Sequence, residues 1–296
     1  MRRRGSLACR RCCLAVWALC LATLAALPAL AGDGRLLATG GATQAEGAAG
    51  GGIVPWAVIA GYGTREQHGG TAFRTHLDTG DYSLDSVGAA YGFGNRLELS
   101  LARQRIGLGT LQRQLALPVD HFRQDVIGAK LRLAGDLVYG AMPQVSLGVQ
   151  HKRHRDFNVP RAVGAREDRG TDIYIAASKL FLGGAAGYNL LLNATLRSTS
   201  ANQAGLLGFG GDLRGGRSLV WEGSAAVMPD PHWALGIEYR QKPDNLGFAR
   251  EDDWRDVFAA WFPNKRIAVV AAWADLGSVA TLDRQRGPYL SLQMSY

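Results

Sequence analysis

The last nine residues of the chain, PYLSLQMSY (Pro288 to Tyr296), alternate strictly between two kinds of side chain. One face of this alternation carries the larger apolar side chains, Leu290, Leu292, Met294 and Tyr296. The other face carries Tyr289, Ser291, Gln293 and Ser295. A period of two predicts a β-strand. One apolar face and one small-polar face suit a wall that has lipid on one side and water on the other.

The chain also ends in an aromatic residue. A last strand that ends in Tyr or Phe resembles the assembly signal of bacterial outer-membrane β-barrels. On this resemblance we predict an assembly signal, read by the barrel-assembly machinery during biogenesis, at Leu290, Leu292, Met294 and Tyr296.

Alternation of this kind recurs along the chain and predicts about twelve strands. We assign them to residues 50–63, 81–93, 96–106, 123–138, 142–152, 171–182, 188–200, 216–227, 232–242, 253–262, 265–275 and 286–296. Tight turns join alternate pairs of strands. The other connections are longer and more polar, at residues 64–80, 107–122, 153–170, 201–215, 243–252 and 276–285.

Short turns that alternate with long loops are typical of an outer-membrane barrel, in which the turns are periplasmic and the loops external. We therefore predict an all-β protein, a transmembrane antiparallel up-and-down β-barrel integral to the bacterial outer membrane. A secreted β-sandwich would also have short alternating strands. The aromatic terminus and the order of turns and loops favour the barrel.

The amino-terminal residues have the features of a secretory signal. Arginines without acids precede residue 12, an apolar run follows from Leu14 to Leu30, and Ala29 and Ala31 supply a small-residue cleavage pattern. We predict a signal peptide at residues 1–31, a Gly/Ala-rich periplasmic lead-in at 32–49 and the barrel at 50–296. The alternative for the first segment is an uncleaved anchor.

Removal of this signal changes two properties of the chain. All the cysteines lie within it, so disulfides and thiolate metal sites are excluded from the mature protein; they are Cys9, Cys12, Cys13 and Cys20. Five arginines leave with it, and the charge of the whole chain falls from +8 to about +3. A residual charge of this size, dispersed among acids, predicts no nucleic-acid partner.

The segment Thr39 to Trp56, TGGATQAEGAAGGGIVPW, departs from the strand pattern because it is rich in Gly and Ala. It resembles the opening of an uncharacterised proteobacterial family of outer-membrane β-barrels that has a TGG-TQ-EGAAGGG motif near the mature amino terminus. The matching residues are Thr39, Gly40, Gly41, Thr43, Gln44, Glu46 and Gly50 to Gly52. The resemblance continues through DHFRQD (Asp120 to Asp125) and YRQKPDNL (Tyr239 to Leu246). It implies a fold and a location, and no activity.

The sequence contains no catalytic motif. None of the histidines belongs to a nucleophile elbow, and no cofactor fingerprint has the strand–helix context it needs. We predict no catalytic, cofactor-binding or metal-binding residues, and hence no enzyme.

Charged residues on the predicted lumen side are the best candidates for a functional site. We predict a charge girdle made of Lys130, Arg132, Arg197, Glu222, Glu238 and Arg240. In an open lumen such a girdle is a constriction that selects solutes. In a narrow lumen the same charges would pair and fill it, because unpaired buried charges are costly.

The function we predict is a passive pore or transport-related barrel for small polar solutes. A structural or surface-interaction barrel with a closed lumen is the second hypothesis, and a lipid-modifying outer-membrane enzyme is the third. As partners we expect outer-membrane lipid and lipopolysaccharide. The external loop from Arg153 to Gly170 has five arginines that could face lipopolysaccharide phosphates, although a solvated loop explains them as well.

Overall fold

The computed structural model describes residues 32–296, so the predicted signal peptide lies outside the described residues. Two short strands, β1 (Ala42–Thr43) and β2 (Ala49–Gly50), pair with each other in a separate small sheet. Twelve further strands form a closed barrel. Their bounds are β3 His68–Asp78, β4 Ser83–Phe93, β5 Leu97–Gly107, β6 His121–Ala134, β7 Gln144–His154, β8 Arg169–Ala185, β9 Tyr188–Thr199, β10 Ser218–Asp230, β11 Trp233–Arg240, β12 Trp254–Asn264, β13 Ile267–Asp275 and β14 Arg286–Ser295.

The helices are short and lie in the connections. They are α1 (Gly109–Leu115), α2 (Asn158–Ala162) and a 3₁₀ turn at Asn202–Gly205. Within residues 32–296, no helix has the length and apolarity needed to cross a membrane.

Each barrel strand pairs antiparallel with its neighbours in sequence, and β14 closes the barrel against β3 with Ser291 opposite Thr75. The predicted all-β antiparallel up-and-down architecture is therefore confirmed. Side chains alternate as predicted. Leu290 is 56% exposed on the exterior, whereas Ser291 is fully buried in the lumen. Exposed Leu, Ile and Val continue around the outside of the wall, which is the face that lipid requires.

The first barrel strand is not where we predicted it. The predicted strand at residues 50–63 lies inside the barrel, and the true first strand is β3, within the range predicted as an external loop at 64–80. The exterior positions Arg74, His76 and Asp78 of β3 are polar, so the strand has no apolar alternation to reveal it. The count of twelve is unchanged because one strand replaces the other.

The connections have the predicted arrangement at all but one position. Turns lie at one end of the barrel, together with the start of β3 and the end of β14, and the longer loops lie at the other. By the rule for outer-membrane barrels we call these the periplasmic and outer ends. The exception is the first outer connection, residues 79–82, where Thr79 N–H donates to Tyr82 O at 2.9 Å in a tight turn.

The core of the molecule is the lumen itself. Every residue from 42 to 63 is buried there, and we call this segment the plug. The lead-in predicted at 32–49 therefore enters the barrel from Ala42 onward. Small Gly and Ala side chains let the backbone pass through a lumen already lined by long polar side chains.

Candidate functional site

The plug is a loop that enters and leaves the barrel at the periplasmic end. Near its base, the Arg35 guanidinium donates to Ile59 O at 2.7 Å and to Gly61 O at 3.0 Å, which ties the entering and leaving chains together. Its tip is a turn closed by Gly47 N–H donating to Gln44 O at 2.8 Å. Gly47 has a φ of +100°, a conformation that favours glycine. The turn places Glu46 farthest from the base.

Glu46 binds three cations of the wall. Its carboxylate accepts from Arg240 Nη2 at 3.1 Å and from Lys152 Nζ in a shorter contact, and Arg197 Nη1 lies 4.0 Å away. The three partners come from β11, β7 and β9. We call this contact the outer anchor of the plug.

Wall acids complete the arrangement around these cations. Arg197 Nε donates to Glu222 Oε1 at 2.5 Å, and Asp172 Oδ2 lies 2.8 Å from Lys152 Nζ and 3.2 Å from Arg197 Nη1. All members are at most 3% exposed. Three carboxylates thus balance three cations in what we call the outer ion cluster: Glu46, Lys152, Asp172, Arg197, Glu222 and Arg240.

A second contact lies toward the periplasmic end and uses the plug's backbone. Glu98 accepts the amides of Ala49 at 3.1 Å and Ala60 at 2.8 Å. Lys130 Nζ donates to Ala49 O at 2.8 Å, to Val58 O at 2.7 Å and to Glu98 at 3.2 Å. We call this pair and its backbone partners the periplasmic anchor. Glu98 and Lys130 thereby satisfy buried plug groups that would otherwise be unpaired.

Glu238 binds the plug between the two anchors. Its Oε2 accepts the amides of Gly52 at 2.6 Å and Ile53 at 2.9 Å, and its Oε1 accepts Ser224 Oγ at 2.7 Å. Gly51 passes so close that a Cβ there would overlap the Glu238 carboxylate. A glycine at this position of the motif is therefore required by the approach of the backbone to the wall.

Five of the six predicted girdle residues lie in the lumen, but they do not form one ring. Arg197, Glu222 and Arg240 belong to the outer ion cluster, whereas Lys130 and Glu238 bind other parts of the plug. Arg132 is not in the girdle: it lies at the periplasmic turn, 19% exposed, and its Nη2 is 3.0 Å from Asp136 Oδ2. The register of β6 and β7 shifts just after Arg132, at the end of the paired region.

Sequence reasoning missed several of the buried charges, among them four that belong to the two anchors and the outer ion cluster: Glu46, Glu98, Lys152 and Asp172. Three of them follow the alternation that predicts the strands. Glu98 is on the lumen face of β5, opposite the exterior Leu97 and Leu99. Lys152 shares the lumen face of Ser146 on β7, and Asp172 shares that of Tyr174 on β8. Glu46 lies in no strand, so the alternation says nothing about it, and the only signal in the sequence was its place in the motif.

The outer mouth is covered by residues 201–211, all buried, which we call the cap. Lys152 Nζ donates to Ala204 O at 3.2 Å, and Gln203 N–H donates to Glu251 at 2.8 Å. Lys242 Nζ donates to Gln203 Oε1 at 2.6 Å and lies 3.5 Å from Glu251. Burial raises the pKa of Glu251 to about 7 and lowers the pKa of Lys242 to about 8, because both charges are removed from water.

Two apolar spaces flank the plug. One lies between the plug and the periplasmic part of the wall and is lined by Leu137, Leu180, Met228, Phe258 and Phe262 among others. The other lies between the plug tip and the cap and is lined by Leu77, Leu84, Ile106, Leu206 and Trp254 among others. The plug separates them, so the lumen is closed at mid-depth.

Comparison with known proteins gives a family and distant structural likenesses. A family model described as "Protein of unknown function (DUF3034)" matches residues 39–293. No curated protein matches the sequence. The KdgM porin has 10% identity and a TM-score of 0.47, over 77% of this chain and 99% of that chain.

Two other barrels are similarly distant. The outer-membrane protein Omp33 of Acinetobacter baumannii has 9% identity and a TM-score of 0.44, over 78% of this chain and 98% of that one. The COG4313 outer-membrane channel from Pseudomonas putida F1 has 12% identity and a TM-score of 0.38, over 82% and 96%. Likenesses at this level concern the barrel architecture alone.

Proposed function

This chain belongs to the DUF3034 family of proteins of unknown function, and we propose that it is a transport-related barrel, integral to the bacterial outer membrane, whose passage for small polar solutes is closed by its own plug. The observation that supports this is the polarity of the wall that faces the plug. Beside the charged residues, the uncharged polar side chains buried in this wall include Ser86, Gln104, Gln144, Ser146, Gln150, Ser178, Asn193, Thr195, Ser224, Ser291 and Gln293.

A wall of this kind is suited to water. When the plug leaves, water can replace the hydrogen bonds that the wall now makes to it, and exchanging one hydrogen-bond partner for water changes the free energy little. While the plug is in place the same groups satisfy its backbone, as Gln144 and Ser146 do for Ala57 O. The apolar side chains at the periplasmic end add a hydrophobic section, which in a narrow pore resists wetting.

The size of the barrel and the route of the plug support the same proposal. A barrel of about eight strands fills its interior with its own side chains, whereas a larger one leaves a lumen. Here the barrel has twelve strands, and its lumen is filled by the plug, a segment that precedes the first barrel strand and is not part of the wall. Because both ends of the plug lie at the periplasmic end, it can withdraw as a loop without being threaded through the barrel. We extend the proposal to the family's motif, whose residues from Thr43 to Gly52 include Glu46 of the outer anchor and Ala49 of the periplasmic anchor.

The closed structural barrel is the main competitor, favoured by the balanced charges of the outer ion cluster. An enzyme has less support. His151 Nδ1 lies 2.9 Å from Thr171 Oγ1 at the outer rim, but among residues 32–296 no carboxylate bonds to the other ring nitrogen to orient it. We propose that the chain is not an enzyme.

Planar-bilayer recording of the intact barrel beside two variants tests the proposal. One variant lacks residues 32–63, and the other also has 202–208 replaced by a short Gly-Ser linker. We expect the intact chain to be closed most of the time and to open briefly, and the second variant to conduct steadily. An intact chain that never opens under any applied voltage would establish the structural barrel instead. Steady conductance of the intact chain would show that the plug closes nothing.

A further inference from the structure

The exterior of the barrel has many arginines at its outer end, and most of them lie beside an aspartate, in two cases one that two arginines share. Arg103 and Arg155 pair with Asp125, and Arg123 pairs with Asp156. On the opposite side, Arg255 and Arg286 share Asp275, and Arg74 lies near Asp85. The aspartates of these pairs offset part of the positive charge on the exterior of the wall.

One sector departs from this pairing. Between β7 and the start of β10, an open cleft is lined by Arg166, Arg169 and Arg217, with Glu167 as its one lining acid among the described residues. Arg169 lies 3.9 Å from Asp168, an acid it shares with Arg153. No acid within ion-pair distance of Arg166 or Arg217 is found among residues 32–296. The cleft therefore has an excess of positive charge.

Arg217 is held rigidly with donors to spare. Its guanidinium donates to Ser198 Oγ at 2.9 Å, to Ser198 O at 2.6 Å and to Thr171 O at 2.5 Å. A guanidinium has five N–H donors, so two are left. A guanidinium held in place with free donors, beside the exposed guanidinium groups of Arg166 and Arg169, is an arrangement that binds phosphate well.

The surface directly below the cleft is apolar and faces lipid. His151 and Thr171 are register partners at the cleft, and the next exterior pair down the same strands is Val149 and Ile173. Leu219, 72% exposed, lies in the same row on β10, beyond Ser198 of β9. Two residues along a strand cover about 7 Å, so the change from arginine to aliphatic side chains is as abrupt as the boundary between a lipid headgroup and its acyl chains.

We propose that this cleft is a binding site for a phosphorylated glycolipid of the outer leaflet, with its phosphate on Arg166, Arg169 and Arg217 and its acyl chains on the aliphatic surface below. The proposal depends on the orientation of the barrel and is independent of whether the plug opens. Free inorganic phosphate has the same charged oxygens as the lipid phosphate, so it is the alternative ligand for the three arginines. The aliphatic surface below the cleft favours the lipid, because acyl chains can pack on it and free phosphate cannot.

The test measures binding of diphosphoryl lipid A to the full-length barrel by native mass spectrometry. We expect the double variant Arg166→Gln/Arg169→Gln to bind about tenfold more weakly or worse, since two charge-assisted contacts are lost. Arg255→Gln/Arg286→Gln, which removes two paired exterior arginines, is the matched control and should change binding less than about twofold. Both side chains of the double variant are exposed, and unchanged heat-modifiability would show that the barrel is intact.

Two further ligands separate the sources of phosphate. Lipid A with its phosphates removed should bind the wild type as weakly as diphosphoryl lipid A binds the double variant. Inorganic pyrophosphate should compete only at far higher concentration than the lipid. Equal binding of the two lipids, equal loss in both arginine variants, or competition by pyrophosphate at the concentration of the lipid would each overturn the site.

Discussion

The two anchors of the plug hold it by different means. At the outer anchor, one plug side chain, Glu46, contacts three cations of the wall. At the periplasmic anchor the plug contributes no charge. There the wall supplies both members of an ion pair, Glu98 and Lys130, and the plug supplies backbone amides and carbonyls.

The difference teaches where the closure is vulnerable. Because the outer anchor depends on a single carboxylate, losing it leaves buried cations in excess. The periplasmic anchor is spread over several backbone bonds, and its ion pair stays balanced when the plug moves. We therefore expect the outer anchor to decide whether the plug stays and the periplasmic anchor to position it.

The largest effect should come from Glu46→Lys. The substitution turns a balanced cluster into one with two acids and four bases, and breaking a buried ion network costs about 3–5 kcal/mol. We expect the plug to leave the lumen, so that the open fraction in planar bilayers rises toward that of the chain without residues 32–63.

The matched control is Glu66→Lys, the same charge change at an exposed residue just beyond the plug. It should leave the open fraction at the wild-type level. If both variants opened equally, net charge and not the outer anchor would govern the closure.

A smaller effect should follow from Glu98→Gln. The substitution breaks the buried pair with Lys130, a change that costs about 3–5 kcal/mol when nothing compensates the remaining charge. Here Lys130 keeps its two backbone acceptors, and the amide oxygen of Gln can still accept from one plug amide, so we expect a smaller loss of about 1–3 kcal/mol. The open fraction should rise measurably and stay below that of Glu46→Lys. Asp136→Asn, which removes the half-exposed partner of Arg132, is the control and should have almost no effect. An open fraction for Glu98→Gln above that of Glu46→Lys would reverse the ranking of the two anchors.

Most of the wall was predictable because its outside must be apolar and its inside polar. This period of two is visible in Leu97 to Ala102 and in Pro288 to Tyr296, and it correctly assigned the lumen parity of Lys130, Arg197 and Glu238. It failed in β3, where Gly69 and Gly70 follow the first residue and polar side chains occupy the outer half of the exterior face.

The plug was not predictable by the same reasoning. Residues 53–62, IVPWAVIAGY, are as apolar as a strand, but they are buried by a wall that surrounds them and not by one face of a sheet. Partners of Glu46 lie more than a hundred residues away along the chain, at Lys152 and Arg240. No local sequence pattern predicts contacts over such distances. The motif could therefore be recognised from the sequence, but its position in the lumen could not be predicted.

The assembly signal has a clear structural setting and stays a prediction. Leu290, Leu292 and Met294 lie on the exterior of β14, and Tyr296 N–H donates to Gly70 O at 3.0 Å across the closing seam. The barrel-assembly machinery would therefore read a strand that also completes the barrel.

The most direct test of the central claim measures whether the plug is inside the lumen. A chain that begins at Gly32 has no cysteine, so single cysteines can be placed at Ala48, which is 2% exposed in the plug, and at Leu36, which is 53% exposed just before it. We predict that a water-soluble maleimide labels Ala48→Cys roughly a hundredfold or more slower than Leu36→Cys in the folded barrel, because labelling must wait for the plug to leave. Both sites should react alike after denaturation. Equal rates in the folded barrel would contradict the account, since the segment would then lie outside the lumen.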